Sequence, residues 1–356
     1  MTSSWRFGVL SLLLLAGCDD KPPAEQGFAG MGGQADGYTQ VTAGRPFSFP
    51  ADHAPHPGFR IEWWYVTANL QDPQGRPFGV QWTLFRNALQ PGSSGAGWQD
   101  TTLWMGHAAA TSATSHHAAQ RLGRGGVGQA GVNLTPFAAW IDDWSMTSSA
   151  SEPMRDLHLQ ASAAAFSYTL HLTSERPMVL QGEHGYSRKS EQGQASYYYS
   201  QPFYTVKGQL QIDGQTHQVS GQAWLDREWS SQPLTAEQNG WDWFSLHLQD
   251  GTRLMLYRIR RTTRPAYLIG SWIAPDGQIQ PLTGDDIRLA PLNETRVAGR
   301  SLPTRWSIEI PGKNLSIITE ALNAKAWMDL DVPYWEGPVR ASGSQSGVGY
   351  LEMTGY

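Results

Sequence analysis

Residues 62–72 read EWWYVTANLQD, and residues 240–250 read GWDWFSLHLQD. Both stretches open on aromatic rings and end in Leu-Gln-Asp before a turn, and a gapless alignment places Trp63 on Trp241. Alternate side chains of an extended strand share a face, so each stretch carries bulky residues on both faces. The pattern predicts a repeated β-strand that is either buried between two layers or lines a barrel that holds something.

A second repeated signal closes each copy. Residues 220–226 read SGQAWLD and residues 346–352 read SGVGYLE, so an aromatic residue, a leucine and a carboxylate recur in one order. These shared ends predict two similar units in tandem, one over residues 45–232 and the other over residues 238–356. The extra length of the first unit then lies in insertions between the shared ends.

Length and composition agree with this organisation. A chain of 356 residues is too long for most single cores and suits two domains. Charged residues make up only 16%, while 38 Gly, 22 Pro and 16 Trp favour short strands and turns over long helices. A net charge of −5 without a long run of either sign excludes an electrostatic footprint for nucleic acid.

The amino-terminal residues predict an exported lipoprotein. Arg6 precedes a short apolar run over residues 7–15, and Leu-Ala-Gly-Cys ends at Cys18, the chain's single cysteine. This pattern resembles a bacterial lipobox, which predicts a signal peptide over residues 1–17 and a lipid on Cys18. The alternative is an ordinary signal peptide with a chance cysteine.

The residues after the cysteine predict where the protein resides. Residues 18–44 are rich in glycine and are expected to form a flexible tether. No second apolar stretch reaches about 18 residues, so the rest is expected to face the periplasm. Asp19 resembles the signal that retains lipoproteins at the inner membrane, which favours an inner-membrane anchor in the cell envelope.

Seven motifs in order identify a family resemblance: FPADHAPH at 49–56, EWWY at 62–65, QGEHGY at 181–186, YYYSQP at 197–202, WLDREW at 224–229, GWDWF at 240–244 and GYLE at 349–352. Together they resemble the AttH family of exported proteins, which are encoded beside an ABC transport system and often labelled predicted secreted hydrolases. That family is distantly related to the carotenoid hydratases, also called hydroxyneurosporene synthases. The resemblance implies an all-β fold of two tandem lipocalin-like antiparallel β-barrels.

Two carboxylates of the WLDREW motif are candidate catalytic residues. Asp226 and Glu228 flank Arg227, so on a strand they share one face about 6.5–7 Å apart while Arg227 points to the other. That separation suits an acid and a base. The alternative is that all three residues form ion pairs and hydrogen bonds that fix the junction of the two units.

Asp242 is the third candidate, because it interrupts two tryptophans in a strand otherwise built for burial. Desolvation raises the pKa of such a carboxylate, which is what a proton donor to an alkene or a leaving group needs. Proton transfer followed by water addition is the chemistry that the resemblance to carotenoid hydratases implies. The alternative is that Asp242 caps a loop or pairs with Arg227.

The Asp-His cluster before the first strand resembles a metal site only weakly. Asp52, His53 and His56 precede Glu62, but a catalytic zinc needs three converging ligands, and no HExxH motif or cysteine pair supports one. We expect no metal and no cofactor, and we expect this cluster to dock the amino-terminal segment against the barrel. No GxSxG motif provides a nucleophile.

Two functions follow from these residues. The first is a lipid-anchored protein that binds an apolar or amphipathic ligand such as a lipid or isoprenoid and works with an inner-membrane ABC transporter. The second is a cofactor-free hydratase or hydrolase that uses carboxylate acid–base catalysis. A carboxylate that faces an apolar cavity wall would favour the enzyme. The candidate ligand-binding residues are aromatic: Trp63, Trp64, Tyr65, Tyr198, Trp224, Trp241 and Trp243.

Replacing Cys18 with serine is expected to release the protein from membranes and to abolish incorporation of radiolabelled fatty acid, because the thiol is the acyl acceptor of the lipobox. Membrane fractionation and fluorography of cells grown with labelled palmitate measure both effects. A Cys18→Ser protein that still incorporates the label would contradict the lipoprotein prediction.

Overall fold

The computed structural model describes residues 35–92 and 95–356. The predicted signal peptide, Cys18, Asp19 and most of the tether lie outside the described residues. In the part of the chain that is described, no helix is long and apolar enough to cross a membrane. The fold is nearly all β, with short 3-10 turns such as Ala51–His53 as its helical elements.

The strands of the first sheet run from Ile61 to Ser230: β1 Ile61–Gln71, β2 Pro77–Ala88, β3 Thr102–Ser112, β4 His116–Arg124, β5 Ala130–Leu134, β6 Phe137–Ile141, β7 Trp144–Ser148, β8 Asp156–Ser162, β9 Phe166–Thr173, β10 Val179–Leu180, β11 Tyr186–Arg188, β12 Ala195–Ile212 and β13 Gln215–Ser230. The second sheet follows after a short connection: β14 Gln238–Leu248, β15 Arg253–Arg261, β16 Tyr267–Ile273, β17 Ile279–Thr283, β18 Arg288–Val297, β19 Arg300–Ile310, β20 Leu315–Ala321, β21 Trp327–Met328, β22 Tyr334–Gly343 and β23 Gly347–Met353.

Each sheet is antiparallel and curved. The main path of the first sheet has the order β4-β3-β2-β1-β13-β12-β9-β8-β7-β6-β5 and forms a nearly closed, barrel-like unit. The second has the order β17-β16-β15-β14-β23-β22-β20-β19-β18 and forms a half-barrel. The all-β fold with two barrel-like units is therefore confirmed, with the second unit more open than the first.

The strand register reproduces the repeat in the sequence. Strand β1 lies between β2 and β13, and β14 lies in the same way between β15 and β23. Tyr65 is paired with Asp226, and the aligned residue Trp243 is paired with Glu352. The two repeated stretches thus hold equivalent places in the two sheets.

The two faces of the repeated strand have different surroundings. Trp64, Val66 and Ala68 point into the apolar core of the first unit, and Phe244 and Leu246 point into that of the second. The opposite faces meet each other, with the rings of Tyr65 and Trp243 5.4 Å apart at 68°. The sequence predicted that the repeated strand is either buried between two layers or lines a barrel that holds something. The structure shows burial between layers, because side chains fill the interior of both units.

Arg227 and Glu62 join the amino-terminal segment to the first barrel. The buried Arg227 lies 3.7 Å over the Trp64 ring, forms an ion pair with Glu62 and donates to the Ala54 carbonyl oxygen at 2.8 Å. Burial alone would raise the pKa of Glu62, but its ion pairs with Arg227 and Arg86 hold the pKa below its usual range. Arg227 therefore points away from its two acidic neighbours, as predicted.

The Asp-His cluster belongs to the same network. The His56 ring stacks on Trp229 with centroids 3.9 Å apart, and its nitrogens lie 3.2 Å from Asp52 and from Glu62. Asp52 is itself paired with Arg45. These contacts dock the amino-terminal segment on the barrel, as the sequence predicted.

Trp63 and Trp64 lie on opposite faces of β1, so replacing each of them tests which face packs in the first core. Trp64→Ala is expected to lower the free energy of unfolding by about 3–5 kcal/mol, because the ring fills the first core and supports Arg227. Trp63→Ala, on the half-buried opposite face, is expected to cost less than half as much. Urea denaturation followed by circular dichroism measures both values, and equal losses would contradict this assignment of faces.

Candidate active site

A cavity of about 250 Å³ lies between the two sheets. Its walls come from β1, β2, β3 and β13 of the first sheet and from β14, β15, β22 and β23 of the second. Aromatic rings dominate the walls: Trp63, Tyr65, Phe85, Trp241, Trp243, Tyr257 and Tyr334. The polar groups that reach the cavity include three carboxylates, Asp226, Glu228 and Glu352, and the imidazole of His107.

Asp226 is an acid without a cationic partner on this wall. Its carboxylate accepts hydrogen bonds from Tyr198 Oη at 2.7 Å, Ser200 Oγ at 2.5 Å and Trp224 Nε1 at 2.6 Å. Burial raises the pKa of Asp226 to about 7, and these three donors oppose the rise without cancelling it. At neutral pH the carboxyl can therefore both give and take a proton.

Glu228 differs from Asp226 because a cation balances its charge. The buried Lys189 ammonium lies 2.9 Å from the Glu228 carboxylate, and the Ser196 hydroxyl also donates to it. Lys189 additionally lies 4.2 Å from the ring centroid of Tyr257. Of the predicted pair on this strand, Glu228 forms an ion pair, and Asp226 forms none within residues 35–92 and 95–356.

Glu352 is the counterpart of Asp226 in the second unit. The Trp241 indole N–H donates to its carboxylate. Burial raises the pKa of Glu352 to about 7, and the nearby charges of Asp226 and Glu228 add to the rise. The cavity therefore brings together two carboxyl groups, one from each unit, whose pKa values lie close to neutral.

Glu336 lies behind this wall. It is paired with Glu352 in the register of β22 and β23, and its Oε1 atom accepts a hydrogen bond from the hydroxyl of Tyr65. Burial, together with the charge of Glu352, raises the pKa of Glu336 well above its usual value. Burial therefore disfavours the ionised form of this side chain.

Asp242 does not line the cavity. It points to the inner face of the second unit, where Arg258 at 2.7 Å, Arg260 at 2.6 Å and the Tyr356 hydroxyl at 2.7 Å surround its carboxylate. The alternation along β14 turns Trp241 and Trp243 to the cavity and Asp242 away from it. Asp242, the predicted proton donor, is thus an ion-paired carboxylate. Its cationic partners are Arg258 and Arg260, and not Arg227 as the alternative interpretation expected.

The predicted aromatic residues divide into three groups. Trp63, Tyr65, Trp241 and Trp243 line the cavity. Tyr198 and Trp224 lie beneath its surface and hold Asp226, while Trp64 belongs to the first core. The sequence analysis did not select Glu352, Glu336 or His107 as site residues. The alignment of SGVGYLE with SGQAWLD places Glu352 on Asp226, and this was the sequence signal that could have identified Glu352.

One group of side chains among the described residues has donor atoms arranged as a metal site would need. Asp156, His158 and His171 place their donor atoms within 4.8 Å of one another on β8 and β9. They are largely exposed and do not line the cavity.

Comparisons with known proteins agree with the fold. The sequence model of AttH-like proteins matches residues 40–356. A crystal structure of a protein assigned as an AttH from Nitrosomonas europaea is 32% identical, with a TM-score of 0.78 over 89% of this chain and 99% of that one. None of the curated proteins compared with the chain matches it.

Two more distant structures share the fold. Kievitone hydratase from Nectria haematococca is 14% identical, with a TM-score of 0.66 over 89% of this chain and 95% of that one. The protein CghA with Sch210972 is 15% identical, with a TM-score of 0.55 over 93% and 97%. At these identities the likeness concerns the fold alone.

The raised pKa of Asp226 predicts a pH-dependent stability. The folded state favours the neutral acid, so its contribution is complete below about pH 4 and is lost as the pH rises to about 7. Asp226→Asn removes this loss, which is on the order of 4 kcal/mol for a shift of about three units. Urea denaturation at several pH values measures wild type against variant, and parallel curves would contradict the assignment.

Proposed function

The chain belongs to the AttH-like family, and from the cavity between its two units we propose that it is an enzyme that transfers protons to and from a neutral, unsaturated apolar compound, in the manner of a hydratase. The observation that carries this proposal is the pair Asp226 and Glu352. Both line the aromatic cavity, neither forms an ion pair with any residue in the described part of the chain, and both have a pKa of about 7. A carboxylate that faces an apolar cavity wall is the feature expected of an enzyme rather than of a binding protein.

The two carboxyl groups supply an acid and a base. Burial and mutual repulsion make it costly to ionise both, so one proton is shared by the pair near neutral pH. One carboxyl group gives its proton to a carbon of the double bond, and the other takes a proton from the water whose oxygen bonds to the neighbouring carbon. The product gains one water, and the proton ends on the opposite carboxyl group.

We infer the roles within the pair from the hydrogen bonds that each carboxyl group accepts. Asp226 accepts from three side chains, whereas Glu352 accepts from the Trp241 indole. A carboxylate that accepts more hydrogen bonds is the better stabilised anion. We therefore assign Asp226 as the base that activates water and Glu352 as the acid that protonates carbon.

A binding protein is the second candidate. The aromatic walls by themselves suit an apolar or amphipathic ligand such as a lipid or isoprenoid. In this proposal Cys18 anchors the protein to the periplasmic side of the membrane, and the bound ligand is passed to or from an ABC transporter. The two candidates differ in whether the ligand leaves the cavity chemically changed.

Deuterium incorporation separates the two candidates. The wild type in deuterium oxide is expected to place non-exchangeable deuterium in an unsaturated ligand, with a rate that is highest near pH 7, because one carboxyl must be protonated and the other ionised. Asp226→Asn and Glu352→Gln are each expected to lower the rate by roughly 10²-fold or more while ligand still quenches tryptophan fluorescence. Mass spectrometry measures the label.

Asp242→Asn is the matched control, since it removes a carboxylate from the same region but on the other face of β14. It is expected to lower stability, because two arginines lose their partner, without abolishing incorporation in the folded protein. Saturable binding without incorporation by the wild type would favour the binding protein. Incorporation that depends on Asp242 and is indifferent to Asp226 and Glu352 would refute the assigned pair.

A further inference from the structure

Two histidines and an aspartate form a cluster on the surface of the first unit. Asp156 and His158 lie on β8, and His171 lies on β9. Their donor atoms lie within 4.8 Å of one another, and none of the three side chains lines the cavity between the sheets. The role of this β8–β9 cluster is therefore independent of the proposed function.

Strand alternation places the three side chains on one face. Leu157, between Asp156 and His158, is buried in the first core, and so is Leu170, which precedes His171. The register of the two strands sets His158 directly opposite His171. Buried leucines on one face thus hold the backbone that carries the three donors on the other.

The two imidazole rings direct the same nitrogen atom at one carboxylate. The rings of His158 and His171 stack with centroids 4.6 Å apart and 10° between their planes. His171 Nε2 lies 3.0 Å from Asp156 Oδ2, and His158 Nε2 lies 3.8 Å from Asp156 Oδ1. The first distance is that of a hydrogen bond, but 3.8 Å is too long for one. Hydrogen bonding to Asp156 therefore accounts for the position of one histidine, and not for that of the second.

The charges around the cluster leave the Asp156 carboxylate to the histidines. Arg155, the preceding residue, forms its ion pairs with two glutamates. Lys207 is paired with His171 in the register of β12 and is exposed, so salt screens its charge. Among the described residues, the basic groups beside Asp156 are the two imidazole rings.

Two imidazoles and one carboxylate are a donor set that suits a divalent transition metal. Imidazole nitrogen is a ligand for Zn²⁺, Cu²⁺ and Ni²⁺, whereas Mg²⁺ and Ca²⁺ prefer oxygen ligands. A tetrahedral zinc ion with ligands about 2.0–2.2 Å away needs donor atoms about 3.3–3.5 Å apart. The donor atoms of the β8–β9 cluster are within 4.8 Å of one another, so small rotations of these largely exposed side chains reach that spacing.

We propose that Asp156, His158 and His171 bind a divalent transition-metal ion of the zinc class on the surface of the first unit, with the Nε2 atoms of both histidines and the Asp156 carboxylate as ligands. Three protein ligands leave a fourth position for water. The ion binds two strands that are paired in the folded chain, so it stabilises the folded state by mass action.

This proposal departs from the expectation of no metal. That expectation came from the Asp-His cluster before the first strand, whose histidines are close together in the chain. His158 and His171 lie on different strands, and the β8–β9 register makes them neighbours.

Isothermal titration calorimetry of the full chain, without an oligohistidine tag and after removal of metal with EDTA, tests the site. Zinc chloride is expected to bind with a stoichiometry of about one and to raise the midpoint of thermal unfolding. His158→Ala and His171→Ala are each expected to weaken zinc binding roughly tenfold or more, because each removes a ligand. Magnesium chloride is expected to give no heat of binding.

His117→Ala is the matched control. His117 Nε2 lies 2.6 Å from Asp213, so it forms a histidine–carboxylate pair that is not part of a three-donor cluster among the described residues. Its replacement is expected to leave the zinc affinity within about twofold of the wild type, because one such pair does not supply three ligands. Electron paramagnetic resonance of Cu²⁺ bound to the wild type measures the ligands without any variant, and hyperfine coupling to two imidazole nitrogens is expected.

Three results would overturn the proposal: a wild type that does not bind zinc, zinc binding that survives both His158→Ala and His171→Ala, or a Cu²⁺ spectrum without nitrogen coupling. Equal losses of zinc affinity in His117→Ala and in the cluster variants would also refute it. If the cluster variants do not fold, the wild-type titration and the Cu²⁺ spectrum decide. Deuterium incorporation by a protein that does not bind zinc would refute this site and leave the proposed enzyme standing.

Discussion

The burial of one sheet's outer face against the other is the constraint on which the rest of the structure depends. Strands β1 and β14 are covered on both sides, by their own core and by the opposite unit. Carboxyl groups that point into this contact have no bulk water around them, and Asp226 and Glu336 are 3% and 1% exposed. Their protonation is therefore controlled by their neighbours.

The acids of this protein fall into two chemical groups according to the face on which they lie. On the inner faces Glu62 is paired with two arginines and Asp242 with two others, so both are held as structural anions. At the cavity, the described donors to Asp226 and Glu352 are neutral hydroxyl and indole groups. A buried carboxylate with two guanidinium partners resists protonation, whereas one with neutral donors stays close to its titration range.

The equivalent places of β1 and β14 in the two sheets explain how one cavity contains different groups at matching positions. Asp226 and Glu352 occupy the same place in the two sheets, as do Tyr65 and Trp243. Because the repeated surfaces face each other, both units contribute carboxyl groups to the cavity. Neither unit alone would enclose the acid of the other, so the site depends on the packing of both.

The sequence by itself determined the all-β fold, the repeat, the family and the opposite directions of Arg227 and its acidic neighbours, because strand alternation and motif order are local properties. It also identified four aromatic residues of the cavity wall. Only the tertiary structure decided that Asp242 is ion-paired, that Glu352 joins Asp226 and that Tyr65 meets Glu336. Those outcomes depend on which residues of distant strands become neighbours, and the pKa of a buried acid is set by such neighbours and not by its place in the chain.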